Sequence, residues 1–319
     1  MRIEFLQAGN GDCIHIMSGQ HHVIIDSGEV CQDLVSVVDT IKKANERIDL
    51  LIITHYDSDH IKAINGILQG MSVEDRKKLI KKVWFNATKV GFHGNEKLLS
   101  ADDANDLALL LLEADIEWIS ELEYGIKETF DEGLSVEVID GGEIYQPTGE
   151  GEMLGNEKCD WVSSFNVLEQ YLDDDVTDDS KTNAQSAILV VHAGDHRILL
   201  PGDAIPEKLT NALDKFRKGG TLKFDLVKLP HHGSYKNITE DILSKFECSD
   251  YMISTNGKKY FHPDKKMMFK VMKWGKRVEG KQLSFHMNYY DELWKKLNIT
   301  ESEKRSYNLE CDGKRAFEF

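Results

Sequence analysis

Short apolar runs alternate with stretches of helical spacing along most of the chain. RIEFL (2–6), CIHIM (13–17) and HVIID (22–26) read as three strands joined by tight, glycine-bearing turns. LVSVVDTIKKAN (34–45) has helical spacing, whereas DLLIIT (49–54) reads as a buried strand. A helix is expected to start near His60, a strand at KKVWFN (81–86) and a helix over DDANDLALLLLEAD (102–115). SAILVVHAGDHRILLPGD (186–203) reads as a hairpin turning at Ala-Gly-Asp. After it come a helix (206–217), the strand FDLVKLP (224–230), a helix (239–246), the strand YMIST (251–255) and a helix (264–273). Such alternation predicts an α/β chain.

Residues 141–182, rich in Gly, Asp and Glu, are expected to form an insertion or long excursion with one short helix at 161–172. The last forty or so residues show no clear period. With no internal repeat and no linker marking a boundary, residues 1–319 are expected to form a single domain, with 265–319 as a C-terminal decoration of unknown role.

Composition narrows the class. At 319 residues and 41% apolar content the chain can fill a core without covalent staples, and dominant disorder is excluded. No window approaches the apolar length of a membrane span, and MRIEFLQAGNGDC lacks the run of a signal peptide. Five cysteines, odd in number and without a CxxC pair, argue against a disulfide framework and a cysteine zinc site. A cytoplasmic location away from membranes is the expectation. A net charge of −16 weighs against non-specific nucleic-acid binding. The charge is uneven, however: residues 201–281 hold 17 Lys and Arg against 10 Asp and Glu, while LDDDVTDDS (172–180) concentrates acid.

The chemistry concentrates where strands end. LLIITHYDSDHI (50–61) places His55, Asp57, Asp59 and His60 within six positions, directly after a buried strand and across a helix start. A strand fixes such a loop, and a helix N-terminus favours anionic groups. Four metal-competent side chains in six positions suit two adjacent cations. LLPGD (199–203) delivers Asp203, VKLPHHGS (227–234) delivers His231 and His232, and KYFHPD (259–264) delivers His262, each after an apolar run. Singly, these are ordinary turns with an ordinary histidine. Jointly, four strand ends offering His or Asp describe a metal site assembled from distant parts of the chain.

These motifs resemble the metallo-β-lactamase superfamily, whose HxHxDH motif reads here as His55-Tyr-Asp57-Ser-Asp59-His60. More closely, the order GNGDCIHI (9–16), IIDSG (24–28), HYDSDH, LLPGD, LPHHGS and FHPD resembles the soluble hydrolase domain of the DNA-internalisation competence protein ComEC. The resemblance runs from about residue 3 to residue 264. It departs from the superfamily at the third-motif histidine, where Asn183 stands with Ser186 nearby, as in the ComEC-like group. The membrane helices of that protein have no counterpart here.

The resemblance implies an αββα sandwich with a dinuclear site along one edge. It implies His55 and Asp57 on the first metal, Asp59 and His60 on the second, Asp203 bridging, and His231 completing the second site. Asp59 would also orient or deprotonate the attacking water, and His262 would protonate the leaving group. His232, Asn183, Ser186 and Asp26 would contact substrate or support the metal loops. Asp57 in place of the second histidine adds a hard oxygen donor, which leaves zinc and manganese equally eligible as the two divalent ions. Gly9, Gly11 and Asp12 are expected to shape a turn near the site, Cys13 to belong to the core, and His15, His21, His22, His93, His192, His196 and His286 to be ordinary. The function so implied is hydrolysis of a phosphodiester-containing substrate, nucleic acid among the candidates. The alternatives are a small ester or lactone hydrolase and a metal-binding interaction module without catalysis.

Overall fold

A computed structural model describes residues 1–87, 99–130, 133–143, 159–172, 176–217 and 219–319. His93 and residues 144–158 of the expected excursion lie outside these. The first part of the chain runs β1 (Arg2–Phe5), β2 (Ile14–Ser18), β3 (His21–Ile25), α1 (Gln32–Lys43), β4 (Ile48–Ile53) and α2 (Ser58–Gln69). It continues with α3 (Val73–Leu79), β5 (Lys82–Phe85), α4 (Leu99–Glu113), β6 (Glu117–Ile119), β7 (Lys127–Thr129) and β8 (Leu134–Asp140). A one-turn helix, α5 (Phe165–Leu168), precedes β9 (Ile188–Ala193), β10 (His196–Leu200) and α6 (Pro206–Phe216). Next come β11 (Leu222–Lys223), β12 (Leu226–Lys228), α7 (Glu240–Ser244), β13 (Phe246–Glu247), β14 (Asp250–Ile253) and α8 (Lys265–Trp274). The chain closes with β15 (Leu283–Met287), α9 (Tyr290–Leu297), α10 (Glu301–Tyr307), β16 (Leu309–Asp312) and β17 (Ala316–Glu318).

Two large sheets carry the fold, one ordered β17-β1-β2-β3-β4-β5-β6 and the other β16-β15-β14-β12-β10-β9-β8-β7. Side-chain alternation explains how they stack, because successive strand residues face opposite sides. Leu50 and Ile52 of β4 meet Leu189 and Val191 of β9 in one buried layer between the sheets. The intervening Leu51 and Ile53 instead pack under α1, α2 and α4. Likewise Ile188 and Val190 face the outer layer of α6, α8 and α9. Helices, sheet, sheet and helices follow in that order, so the chain is an αββα sandwich, as the resemblance implies. Both sheet faces of β4 are buried along its whole length, which is why its sequence is apolar without alternation.

The predicted strands and helices of the first half and the 186–203 hairpin are present. Three regions differ from the expectation. Residues 117–140 hold three strands that were not anticipated, because β6 and β7 are only 3 residues long and carry exposed polar positions. The expected helix at 161–172 shortens to α5 and a single 3-10 turn at Glu169–Tyr171. Residues 265–319, expected as a decoration, supply β15 and β16 to one sheet and β17 to the other. Their strands are short, and between them Asn298 and Asn308 end α9 and α10 in left-handed conformations, which hides any long period.

A candidate metal centre at the strand ends

β3 and β4 are parallel in one sheet, as are β10, β12 and β14 in the other. The loops that leave their carboxyl ends meet, and open α/β sheets place ligands at such ends. Asp26 follows β3, His55 and Asp57 follow β4, and Asp59 and His60 form the first turn of α2. Asp203 follows β10, Lys228 ends β12, and His231 and His232 come directly after it.

Asp26 organises the first wall. Thr54 donates its backbone N–H (2.8 Å) and its hydroxyl (2.7 Å) to the two Asp26 oxygens, and His60 Nδ1 donates to Oδ2 at 2.9 Å. Because the Thr54 proton goes to Asp26, its oxygen accepts from His55 Nδ1 at 3.2 Å. On the other wall His232 Nδ1 donates to the Ser254 carbonyl at 3.1 Å. Each of these three rings is thereby fixed with its proton on Nδ1. Their Nε2 atoms are buried and make no hydrogen bond. His232 Nε2 lies 3.2 Å and His60 Nε2 3.5 Å from Asp203 Oδ2. His232 Nε2 is also 3.5 Å from Asp59 Oδ2, and His55 Nε2 is 3.7 Å from Asp57 Oδ2.

One donor atom from each of Asp12, His60, Asp203 and His232 lies within 4.8 Å of the other three, and all four residues are buried. Such a group can hold a cation. Its electrostatics agree. Burial opposes charge on His60 and His232, yet Asp203 together with Asp26 on His60, and with Asp12 and Asp59 on His232, outweighs it and holds both rings well above the ordinary imidazole range. Burial likewise opposes ionisation of Asp203, but His232, His60 and Lys228 bring it well below the ordinary carboxylate range. The cluster therefore gathers compensating positive charge around a buried acid. Buried ring nitrogens without hydrogen-bond partners, turned toward a carboxylate, suit a divalent cation that would take the place of the protons held there.

The two adjacent histidines take different places. His231 Nδ1 faces Asp178 Oδ2 (3.3 Å) and Asn237 Oδ1 (3.2 Å), while its Nε2 stays 3.9 Å from Asp203. His232, expected to support the site, is the ring that meets Asp203 and Asp59. Both residues adopt positive φ, 46° and 54°, and Gly233 follows at 90°. That turn sends the neighbouring rings in different directions. Asn183 donates to Asp178 Oδ2 at 2.7 Å and so backs His231. The Ser186 hydroxyl accepts the Asp203 backbone N–H at 3.2 Å. His262 stacks edge-on against His231 with ring centroids 5.3 Å apart, and its Nδ1 is 3.4 Å from Asp264 Oδ2. Asp57 is the most exposed of the expected ligands, at 34% for its side chain.

Three participants escaped the sequence reading. Asp12, expected only to shape a turn, is 1% exposed and reaches Lys228. Lys228, also 1% exposed, lies against both Asp12 and Asp203. Its signal was a lone charge at an inward position of an apolar strand. Asp178, inside the acidic run 172–180, orients His231. Gly11 is needed where it stands, since a Cβ there would come within 1.6 Å of the Asp59 carbonyl oxygen. Cys13 is buried in the core, as expected. Of the remaining described histidines, His21 pairs with Asp49, His22 with Glu46, His192 with Glu137, His196 with Asp225 and His286 with Asp312, while His15 meets His22.

No protein-family model matches the chain. Over 227 residues it is 22% identical to ComE operon protein 3 of Bacillus subtilis (strain 168), a match covering 71% of this chain. The match covers 22% of that protein, so the chain spans about a fifth of this relative's length. Among solved structures it is similar to the metallo-β-lactamase fold protein YhfI from Bacillus subtilis, at 11% identity over 99% of both chains and a TM-score of 0.48. It is also similar to Zn(2+)-bound PqqB from Methylobacterium extorquens, at 12% identity over 100% of both chains and a TM-score of 0.46. Among the described residues, no helix is long and apolar enough to cross a membrane.

Proposed function

We propose that the chain is a metal-dependent hydrolase of phosphodiester bonds, a nuclease in its biological form, working with two divalent ions, zinc or manganese. The observation that carries this reading is the common orientation of His55, His60 and His232. All three spend their Nδ1 protons on protein acceptors and leave Nε2 bare inside the cluster. Asp59, His60, Asp203 and His232 would hold one ion, and His55, Asp57 and Asp203 the other. Ions so held would lower the pKa of a water and neutralise charge developing on a phosphoryl oxygen.

The chain's own groups have separate tasks. Asp26 and Thr54 keep two rings aimed inward. Asp59 presents Oδ2 beside His232, as a carboxylate held below its ordinary range by His232 and His60 against the effect of burial. There it orients the attacking water and accepts its proton. His262, packed on His231, hands a proton to the leaving oxygen.

A phosphodiester is favoured over a carboxyl ester by the mouth of the site. The 256–260 loop is tied to the Asp12 turn, Asn256 N–H donating to the Gly9 carbonyl and Lys259 N–H to Asn10 Oδ1. It thus brings Lys259, whose ammonium lies 3.5 Å from Glu29, within the field of Asp59, while Lys258 pairs with Glu292 at 3.3 Å. A half-exposed cation near the cluster suits an anionic substrate.

Elemental analysis of metal content, paired with hydrolysis of bis-p-nitrophenyl phosphate and of a carboxyl ester by wild type and Asp203→Ala, tests the reading. Bound metal with phosphodiester turnover that disappears in the variant is expected. Turnover of the carboxyl ester alone moves the assignment to a small-ester hydrolase. Absence of both metal and turnover after reconstitution leaves an interaction module.

A further inference from the structure

Asp12 belongs to the group of four whose donor atoms converge, and by proximity alone it would be a ligand. Its surroundings argue otherwise. Oδ2 is taken by the Lys228 ammonium, and Oδ1 faces His232 from the Nδ1 side, at 3.7 Å. That is the outer edge of the ring, whose proton goes to Ser254. Asp203, by contrast, is divided between two environments. Its Oδ1 lies 3.5 Å from Lys228, while its Oδ2 meets His60, His231 and His232. Lys228 also donates to the Gly202 carbonyl at 3.0 Å, immediately before Asp203 in the chain. The ammonium thus binds Asp12 and the Gly202 carbonyl and reaches Asp203 by charge alone, at 3.5 Å from an Oδ1 that has no hydrogen bond of its own.

We propose that Asp12 and Lys228 form an internal ion pair that excludes Asp12 from metal coordination and positions Asp203 so that Oδ2 alone meets the cation. The proposal rests on the metal reading above. Lys228 acts here as a fixed internal cation beside the site. It limits how many carboxylate oxygens an incoming ion can collect, and it anchors the loop that carries Asp203. Asp12 is the counter-charge that makes a buried ammonium tolerable, and Gly11 lets its turn lie against the Asp59 backbone.

The test compares wild type with Asp12→Asn, Lys228→Met, the double variant and Asp203→Asn. Metal content is measured after dialysis against Mn2+, visible absorption after loading with Co2+, and unfolding midpoints without metal. Asp12→Asn is expected to keep the wild-type metal count and cobalt spectrum while its metal-free midpoint drops by roughly 5–10 °C, because it leaves the ammonium unpaired. Asp203→Asn is expected to lose metal. The double variant, which removes both charges, should recover at least half of the lost midpoint, yet show an altered cobalt spectrum because Asp203 has lost its guide.

A lower metal count or a changed spectrum in Asp12→Asn makes Asp12 a ligand and overturns the proposal. A wild-type cobalt spectrum in the double variant overturns the positioning role of Lys228. A wild type that binds no divalent cation overturns the metal reading itself, a result separable from both.

Discussion

The two walls of the site reach the same geometry by opposite means. On one wall, His55, Asp57, Asp59 and His60 come from a single loop and helix turn, and one buried carboxylate, Asp26, orients two of the rings through Thr54 and directly. On the other, Asp203, Lys228, His231 and His232 come from the ends of two strands and are held by an internal ion pair and three successive residues of positive φ. The ligands of the first wall are local in sequence, and its one left-handed residue is the distant Asp26 that orients them, at φ 56°. The second depends on the sheet being assembled, and it stores backbone strain in the two adjacent histidines. Inward-pointing nitrogens are therefore not evidence of one design, since a carboxylate–histidine relay and a charge-balanced turn produce the same result.

Removing one ring from each wall is the strongest way to break this comparison. His60→Ala and His232→Ala are each expected to lower phosphodiester turnover by roughly 10³-fold, the scale seen when a charge-stabilising group is removed. A variant that loses tenfold or less would show that its wall is dispensable, and steady-state kinetics with excess metal decides it. Asp26→Ala tests the relay without touching a proposed ligand. It should weaken metal binding roughly 10–100-fold, as loss of a group orienting a ligand does. It should also cost about 2–3 kcal/mol in denaturant unfolding, since His60 Nδ1 and the Thr54 N–H lose their acceptor inside the protein.

A pH titration of stability probes the second wall from behind. Asp160 accepts the backbone N–H groups of Lys265 and Lys266, at 2.8 and 2.7 Å, and so fixes the start of α8 just after His262. Burial, with help from Asp264, pushes its carboxyl up from 3.8 to about 6. The folded protein then keeps a proton that the unfolded chain gives up, so stability falls as pH rises through this window and levels off above it. The expected loss is roughly 2–3 kcal/mol, and Asp160→Asn should flatten it in urea titrations at pH 4 and pH 7. The smallest effect is expected for Asp178→Asn, which leaves His231 in place but weakens its orientation. Turnover should fall about tenfold at unchanged metal content, and a lost metal would make His231 a ligand after all.

The same contrast explains what could be read from the sequence. The HYDSDH loop advertises its chemistry because its donors are consecutive, and β4 before it is apolar enough to be recognised as a buried strand. The choice between His231 and His232 depends on φ values of 46° and 54°, which no spacing encodes. Asp12 and Asp178 carry no sequence signal of their roles because each finds its partner more than fifty residues away, in Lys228 and His231. The basic excess of 201–281 was legible as a count but not as a surface. Lys228, Lys265, Lys266 and Lys270 are all buried. Lys270, for example, donates to the carbonyls of Tyr235 and Ile238 at 2.7 and 2.9 Å. Long side chains carry their charge to internal acceptors, so part of the basic excess of 201–281 is internal scaffolding.

The register of β17 on β1 has a consequence for how the molecule is made. Arg2 pairs with Glu318 across a separation of 316 residues, and Phe5 donates its N–H to the Arg315 carbonyl. During synthesis Arg2 emerges 316 residues ahead of Glu318, so the outer margin of β1 stays unpaired until β17 follows. Until then an apolar sheet has an open row of backbone donors and acceptors, a template for pairing with another nascent chain. Arg2 and Glu4 on the waiting strand are charged groups of the kind that discourage mispairing until then.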